Sequence, residues 1–378
     1  MKRIFKTIAG AAMAALCLAA CSNEPALTLS GLDPQAFVGE KDGKATALYT
    51  LTNANGMEVC ITNFGGRLVS VMVPDKDGNM VDVILGFDNI NDYMTKPSDF
   101  GASIGRYANR IAEGKFELDG QTVTLNQNDG PNCLHGGAEG WQYQIYEAEQ
   151  LDPQTLRLTL TDPDGHMGFP GNVTATVTYK LTDDNAVDIL FSGTTDAPTV
   201  LSMTNHAYFN LSGDHALEGT DQVLYVNADC FTPADALLIP TGEFVPVEGT
   251  PMDFRTPKAV AQDIEADYEQ LRLGNGYDHN WVLNTAGDDT KVAFSLYSPV
   301  TGILLEGYTD QPGVQVYSGN FLTGKVAGKH NVLYPRRASI CLETQLFPDS
   351  PNKPEWPSAT LRPGETYTHH CVYKFSVK

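Results

Sequence analysis

The chain has 378 residues, with 46 acidic and 25 basic side chains and a formal net charge of −21. This charge argues against nucleic acid as a partner, because phosphates would be repelled, and against a peripheral grip on anionic lipid. The length suffices for one large domain or two ordinary ones.

The first 21 residues carry the features of an export signal and do not belong to the expected fold. A basic start at 1–6 precedes an apolar core at 8–20 that is too short to span a bilayer. The ending Leu-Ala-Ala-Cys at 18–21 resembles the bacterial lipobox, in which the cysteine is lipidated and becomes the first mature residue. We predict a lipoprotein signal peptide at 1–20, a lipidated Cys21 with a tether at 21–31, and one domain at 32–378.

This anchor sets the expected location. Ser22, rather than Asp, follows the cysteine, which usually favours the outer membrane in such lipoproteins. We therefore expect a protein of the cell envelope, periplasmic or attached to the outer membrane, with the lipid as its only membrane contact.

The remaining cysteines are widely scattered and show no Cys-x-x-Cys spacing; they are Cys60, Cys133, Cys230, Cys341 and Cys371. We interpret them as mostly buried free thiols rather than as a disulfide framework or a zinc site.

Short segments that alternate with a period of two predict strands, as at 155–160, 174–181, 187–192 and 291–297. Asp-Gly pairs at 77, 119, 129 and 164 and Pro-Gly at 312 are turn signals. Apolar residues at helical spacing predict one short helix at about 258–272. No linker divides the chain, so we predict an all-β fold, a large antiparallel β-sandwich with few short helices.

Two arginines and an amide lie close together at 105–111, where Arg106, Asn109 and Arg110 could donate hydrogen bonds to sugar oxygens. Arginines paired with carboxylates for structural reasons are the alternative, and the segment alone leaves both open. Further on, His135 directly precedes two glycines, which permit a ligand to approach the backbone closely. His135 is therefore more typical of a site than His166, which lies in an ordinary turn.

The segment 201–211 predicts a strand that carries His206, with Tyr208 close by. A core or surface histidine is the alternative. In the segment 276–281, Asp278 lies beside aromatic residues, a common way to hold a pyranose. Glu343 is a single carboxylate in an apolar strand at 339–345. Because a buried glutamate is rare unless it is paired or functional, Glu343 is the best candidate for a general base.

Two other interpretations use the same residues. His135, His206 and Glu343 match the ligand types of catalytic zinc, but they lie far apart and no His-Glu-x-x-His motif is present. Asp278 and Glu343 could also form the carboxylate pair of a glycosidase, and the sequence leaves this open.

Taken together, these segments resemble the aldose 1-epimerase (galactose mutarotase) family from about residue 32 to the C-terminus. The matching motifs lie, in family order, at 105–111, 134–137, 168–171, 204–211, 238–243, 276–281, 313–317, 342–345 and 361–365. The resemblance implies a single large antiparallel β-sandwich of the galactose mutarotase type, with a sugar cleft on one sheet.

The resemblance also implies roles. Glu343 would be the general base and His206 the general acid in the opening and closing of a hemiacetal ring, which interconverts the anomers of hexoses such as galactose and glucose. The residues expected to hold the sugar are Asn109, Arg110, His135, Tyr208, Asp278 and Gln315. Trp141 and Val316 depart from frequent family residues; both could reshape a wall of the cleft, so the sequence leaves the preferred sugar open.

We expect a monomer that binds small aldose sugars and needs no cofactor and no catalytic metal. A structural cation such as calcium stays open, because no ligand set in the sequence assigns one. The rival functions are a glycoside hydrolase or lyase and a non-catalytic sugar-binding lipoprotein.

Overall fold

A computed structural model describes residues 26–378; the predicted signal peptide, Cys21 and the first part of the tether lie outside the described residues. Within this range every pairing between named strands is antiparallel, and the largest sheets have nine, six and four strands. The prediction of an all-β antiparallel fold with few short helices is confirmed. In the same range, we find no helix with the length and apolar character needed to cross a membrane.

The nine-stranded sheet has the spatial order Glu147–Asp152, Thr155–Asp162, Val173–Leu181, Ala186–Thr195, Tyr367–Val377, Ile303–Thr309, Phe294–Tyr297, Val223–Val226 and Lys258–Ala259. The six-stranded sheet has the order Tyr208–Phe209, Ile340–Gln345, Gly313–Tyr317, Asp278–Val282, Cys230–Thr232 and Val245–Pro246. The four-stranded sheet has the order Leu48–Thr52, Glu58–Thr62, Arg67–Pro74 and Met80–Asp82.

Smaller elements complete the described chain. The two-stranded pairs are Gly39–Lys41 with Lys44–Thr46, Ala102–Ile104 with Thr204–His206, Arg110–Ile111 with Cys133–Leu134, Lys115–Leu118 with Gln121–Thr124, and Thr199–Val200 with Thr360–Leu361. The α-helices are Ile90–Thr95 and Glu269–Gly274. The 3-10 helices are Pro34–Phe37, Ala112–Gly114, Trp141–Tyr143, His166–Gly168, Val260–Gln262, Lys329–Asn331 and Ser350–Asn352.

The nine-stranded and six-stranded sheets pack face to face and share one large apolar core. Alternate residues of strand Val173–Leu181 are buried, as its period-two pattern predicts. Hydrogen bonds join the two layers: the Tyr373 hydroxyl donates to the Leu342 carbonyl at 2.8 Å, and Thr344 Oγ1 lies 2.9 Å from His369 Nε2. One face of the six-stranded sheet therefore packs against the core, and its other face is available for a site.

The helix predicted at about 258–272 is wrong over most of its length. Residues 258–259 form a strand, 260–262 a 3-10 turn, and only Glu269–Gly274 is α-helical. The amide of Val260 donates to the carbonyl of Gln222, so this part of the backbone extends the edge of the nine-stranded sheet. The apolar stripe itself is correct, because Val260, Ile264 and Leu271 are buried.

The cysteines agree with the prediction. In the described part of the chain all five are free, and four of them are buried.

Candidate active site

The candidate site lies on the face of the six-stranded sheet that points away from the shared core. Gln315 pairs with Glu343 across neighbouring strands, and Asp278 pairs with Tyr317. Successive residues of a strand point to opposite faces, so the neighbour Leu342 belongs to the core while Glu343 faces the site. Gln315 Nε2 donates a hydrogen bond to Asp278 Oδ1 at 2.7 Å, which orients these two side chains relative to each other.

His206 reaches the same place from a different element. Its strand, Thr204–His206, pairs with Ala102–Ile104, and the imidazole stacks on Tyr208 with the ring centroids 4.9 Å apart. His206 Nε2 lies 3.6 Å from Glu343 Oε1, with both side chains buried. This distance is longer than a normal hydrogen bond, as is common for catalytic pairs that tighten only when substrate is bound.

Two hydrogen bonds hold His135 against the backbone of Asn109. The His135 amide donates to the Asn109 carbonyl at 3.0 Å, and the Asn109 amide donates to His135 Nδ1 at 3.1 Å. Because Nδ1 accepts, Nε2 of the neutral ring carries the hydrogen and can donate it to a ligand. The next residue must be glycine: Gly136 has φ 82°, and a Cβ there would lie 2.1 Å from the Gly105 carbonyl oxygen.

Of the two arginines at 105–111, only Arg110 belongs to the site. Its Nε donates to Asp129 Oδ2 at 2.7 Å. Arg106 is buried elsewhere and bonds to Asp162 Oδ2 at 2.6 Å, while His166 Nδ1 lies 2.6 Å from Asp162 Oδ1. Arg106 is therefore structural, which is one of the two interpretations that the sequence left open for it, and His166 lies outside the site.

A cavity of about 200 Å³ collects the predicted residues. It is lined by Asp99, Asn109, Arg110, Leu134, His135, His206, Tyr208, Asp278, Tyr317, Phe321 and Glu343. Seven of the eight predicted catalytic and binding residues are among them. The eighth, Gln315, does not line the cavity but bonds to Asp278.

The remaining lining residues were missed by the sequence analysis. Tyr317 could have been found, because it lies two residues after Gln315 and therefore on the same face of the strand. Asp99 has no pattern that marks it. The expectation for Trp141 and Val316 is wrong: both are buried in the apolar core, and neither lines the cavity.

Burial has the largest effect on the pKa values of Glu343 and His206. It raises the pKa of Glu343 well above its ordinary value, helped by the negative charges of Asp278 and Asp99. Burial lowers the pKa of His206, although Asp99 opposes this, and it lowers the pKa of His135 to about 3. Because Glu343 and His206 lie so close together, the apparent pKa values in a pH profile belong to the pair.

Three side chains of the cavity also have the composition of a metal site. One ligand atom each from Asp99, His135 and His206 lie within 4.8 Å of one another. His135 fits this use poorly, since its Nδ1 accepts from the Asn109 amide and its Nε2 therefore bears a hydrogen rather than a free lone pair. The same three groups can instead form hydrogen bonds with sugar hydroxyls.

Comparisons with known proteins agree with this geometry. The family model "Aldose 1-epimerase" matches residues 47–374. The chain is 40% identical to the aldose 1-epimerase of Escherichia coli K12 over 336 residues, which cover 88% of this chain and 96% of the relative. It is 39% identical to the galactose mutarotase of Homo sapiens over 321 residues, covering 85% and 92%.

Solved structures are similar over the same range. An aldose epimerase homologue from C. elegans superposes with a TM-score of 0.82 at 31% identity, covering 88% of this chain and 99% of that one. Galactose 1-epimerase from Lactobacillus acidophilus NCFM gives a TM-score of 0.79 at 30% identity, covering 90% and 97%. The chain therefore belongs to the aldose 1-epimerase family and is an isomerase that interconverts the anomers of sugars.

Proposed function

We propose that the enzyme acts on aldohexoses such as galactose and glucose, with Glu343 as the general base and His206 as the general acid. The single observation that carries this assignment is the approach of His206 Nε2 to Glu343 Oε1, at 3.6 Å, inside a buried polar cavity. The relatives named galactose mutarotase support the choice of hexose.

The reaction needs two proton transfers. Glu343 takes the proton of the O1 hydroxyl while His206 delivers a proton to the ring oxygen, and the bond between C1 and the ring oxygen breaks to give the open-chain aldehyde. Rotation about the C1–C2 bond then presents the other face of the aldehyde. In ring closure, His206 recovers the proton of the attacking hydroxyl and Glu343 returns its proton to O1, so the enzyme ends as it began.

Burial raises the pKa of Glu343 and lowers the pKa of His206, so both protonation states that the cycle needs have to be stabilised by the bound sugar. In the empty site burial disfavours both charges, so a proton shared by the pair rests mainly on Glu343. Sugar hydroxyls that donate to the Glu343 carboxylate stabilise its charge and prepare it to act as the base. Sugar binding therefore favours the arrangement that the mechanism needs, with Glu343 ionised and His206 protonated.

The other residues hold the sugar. Asp278 accepts from hydroxyls on the side of Gln315, and Gln315 orients its carboxylate. Arg110, Asn109 and the Nε2–H of His135 supply donors in the same cavity, while the ring of Tyr208 supports the imidazole of His206.

No cofactor enters this mechanism, because a carboxylate and an imidazole supply both proton transfers. We further propose that the enzyme acts as a monomer. No structural cation is assigned to it.

We also propose that the chain is exported and held in the cell envelope by a lipid on Cys21, in the periplasm or at the outer membrane. The support is the Leu-Ala-Ala-Cys sequence at 18–21 after a short apolar segment.

Polarimetry on freshly dissolved α-galactose and α-glucose tests the proposed substrates. An accelerated approach to the equilibrium rotation is the expected result. Release of new reducing ends from a glycoside would instead indicate a hydrolase, and sugar binding without either activity would indicate a binding module.

A further inference from the structure

Asp99 lies at a boundary within the site. It lines the reaction cavity and also an adjoining cavity of about 320 Å³, together with Tyr208, Tyr317 and Phe321. Its carboxylate comes within 4.8 Å of a ring nitrogen of both His135 and His206. The buried Oδ1 of Asp99 has no hydrogen-bond partner among the described residues. The carboxylate of Asp99 thus faces the two histidines with one oxygen unbonded, while its negative charge also favours the charged form of the buried Arg67 guanidinium.

The backbone around Asp99 is held on both sides. Arg67 is fully buried, and its guanidinium donates to the carbonyls of Ser98 and Phe100, each at 3.0 Å. None of its hydrogen bonds in the described structure goes to the Asp99 carboxylate. The Asp99 carbonyl accepts from the Ala102 amide at 3.0 Å. The buried Arg67 thus fixes the two residues that flank Asp99 without a hydrogen bond to the Asp99 carboxylate.

The same segment is joined to the strand of His206. Ala102 pairs with His206 in the short sheet, and the Gly101 amide donates to the His206 carbonyl at 3.0 Å. The side chain of Asn205 donates to the Gly101 carbonyl at 2.9 Å. The position of Asp99 relative to the imidazole is therefore set by backbone contacts, which favours a fixed electrostatic role.

Several charged or titratable groups act on His206. Glu343 approaches its Nε2, His135 meets its ring edge-on at 5.2 Å, and Tyr208 and Tyr317 pack against it. Burial lowers the pKa of His206, the charge of Asp99 raises it, and the charge of Arg67 lowers it. The charges of Asp278 and Arg110 act on the partner Glu343.

We propose that Asp99 is a positioning residue for catalysis, which acts through His206 by stabilising the positive charge that this ring carries when it serves as the acid. The inference rests on the proposed roles of His206 and Glu343. The negative charge of Asp99 also raises the pKa of Glu343, so Glu343 loses its proton less readily. Its charge therefore moves both apparent pKa values of the pair in the same direction, upward.

The test is the pH profile of kcat/KM for α-galactose mutarotation, which reports the free enzyme. Asp99→Asn keeps the shape and removes the charge, so both limbs and the optimum should move to lower pH by about one unit. Above the optimum, kcat/KM should then fall about tenfold relative to wild type. Asp99→Glu should restore the wild-type profile. Asp88→Asn, a loss of charge outside both cavities, should leave the profile unchanged.

The outcomes separate this inference from the proposed function. A wild-type enzyme that fails to speed mutarotation overturns the function itself. With an active wild type, an unshifted Asp99→Asn profile overturns the role of Asp99. A raised KM without a shift also overturns it, because Asp99 would then bind sugar directly. Thermal melting shows whether Asp99→Asn is folded, and Asp99→Ser serves as the second uncharged variant if it is not.

Discussion

Asp278 provides a sharp test of the binding half of the site. Its side chain is buried, its Oδ1 accepts from Gln315 Nε2 at 2.7 Å, and the rest of its acceptor capacity faces the cavity. Asp278→Ala removes these acceptors, so both the Gln315 amide and the sugar hydroxyls lose partners. An unpaired polar group in such a site costs about 1–3 kcal/mol. We therefore expect KM to rise roughly 5- to 150-fold, at 1.4 kcal/mol for each factor of ten.

The same change affects proton transfer. After burial, the charge of Asp278 is the largest cause that raises the pKa of Glu343. Removing the charge of Asp278 makes Glu343 easier to ionise, so the limb of the kcat/KM profile that Glu343 governs should move to lower pH. Asp278→Asn is the matched control, because it removes the charge but keeps an acceptor, and it should shift the limb with a smaller rise in KM. Initial-rate polarimetry measures both quantities. An unchanged KM for Asp278→Ala, with normal thermal stability, would show that Asp278 lies outside the sugar site.

Three further predictions concern the rest of the chain. Asp162→Asn leaves a buried guanidinium without its counter-ion and should cost about 3–5 kcal/mol of unfolding free energy in urea. Glu149→Gln, in an exposed pair, should cost under about 1 kcal/mol, and equal costs would contradict the argument. Cys21→Ala should give an active protein that leaves the membrane fraction; its presence in the pellet after a high-salt wash would count against the anchor. The pKa of His370 is raised to about 9, chiefly by its hydrogen bond to an aspartate. Its stabilising effect should be complete below about pH 6.5 and lost as the pH rises through about 9. A wild-type and a His370→Gln protein with the same pH dependence would refute this.

The strands were predictable where burial alternates along a regular sheet. Val173–Leu181 has its apolar side chains on the core face, so its pattern in the sequence is also its pattern of contacts. The segment at 258–272 has a helical pattern of apolar residues, but tertiary pairing decided its backbone. The amides of Val260 and Ala261 bond to carbonyls at 222 and 220, which no local pattern indicates.

The site was predictable through motifs and not through geometry. Arg106 and Arg110 are equivalent in the sequence, and only the distant Asp162 shows that Arg106 serves the fold. Asp99 carries no local signal, because its position depends on Arg67 and on the strand of His206. The direction in which the pKa of His206 shifts could not be derived from the sequence either. Burial lowers this pKa and the nearby carboxylate of Asp99 raises it, and the structure shows that burial has the larger effect.

The most direct test of the central claim is the mutarotation rate of Glu343→Gln, measured by polarimetry on a protein whose fold is verified by thermal melting. Glutamine keeps the size of the side chain and cannot take the proton of O1. A positioned base contributes about 10²–10⁴-fold, so kcat should fall by that factor, and His206→Asn should cause a comparable loss. If folded Glu343→Gln retains near-normal mutarotase activity, Glu343 is not the base and the mechanism proposed for this site is wrong.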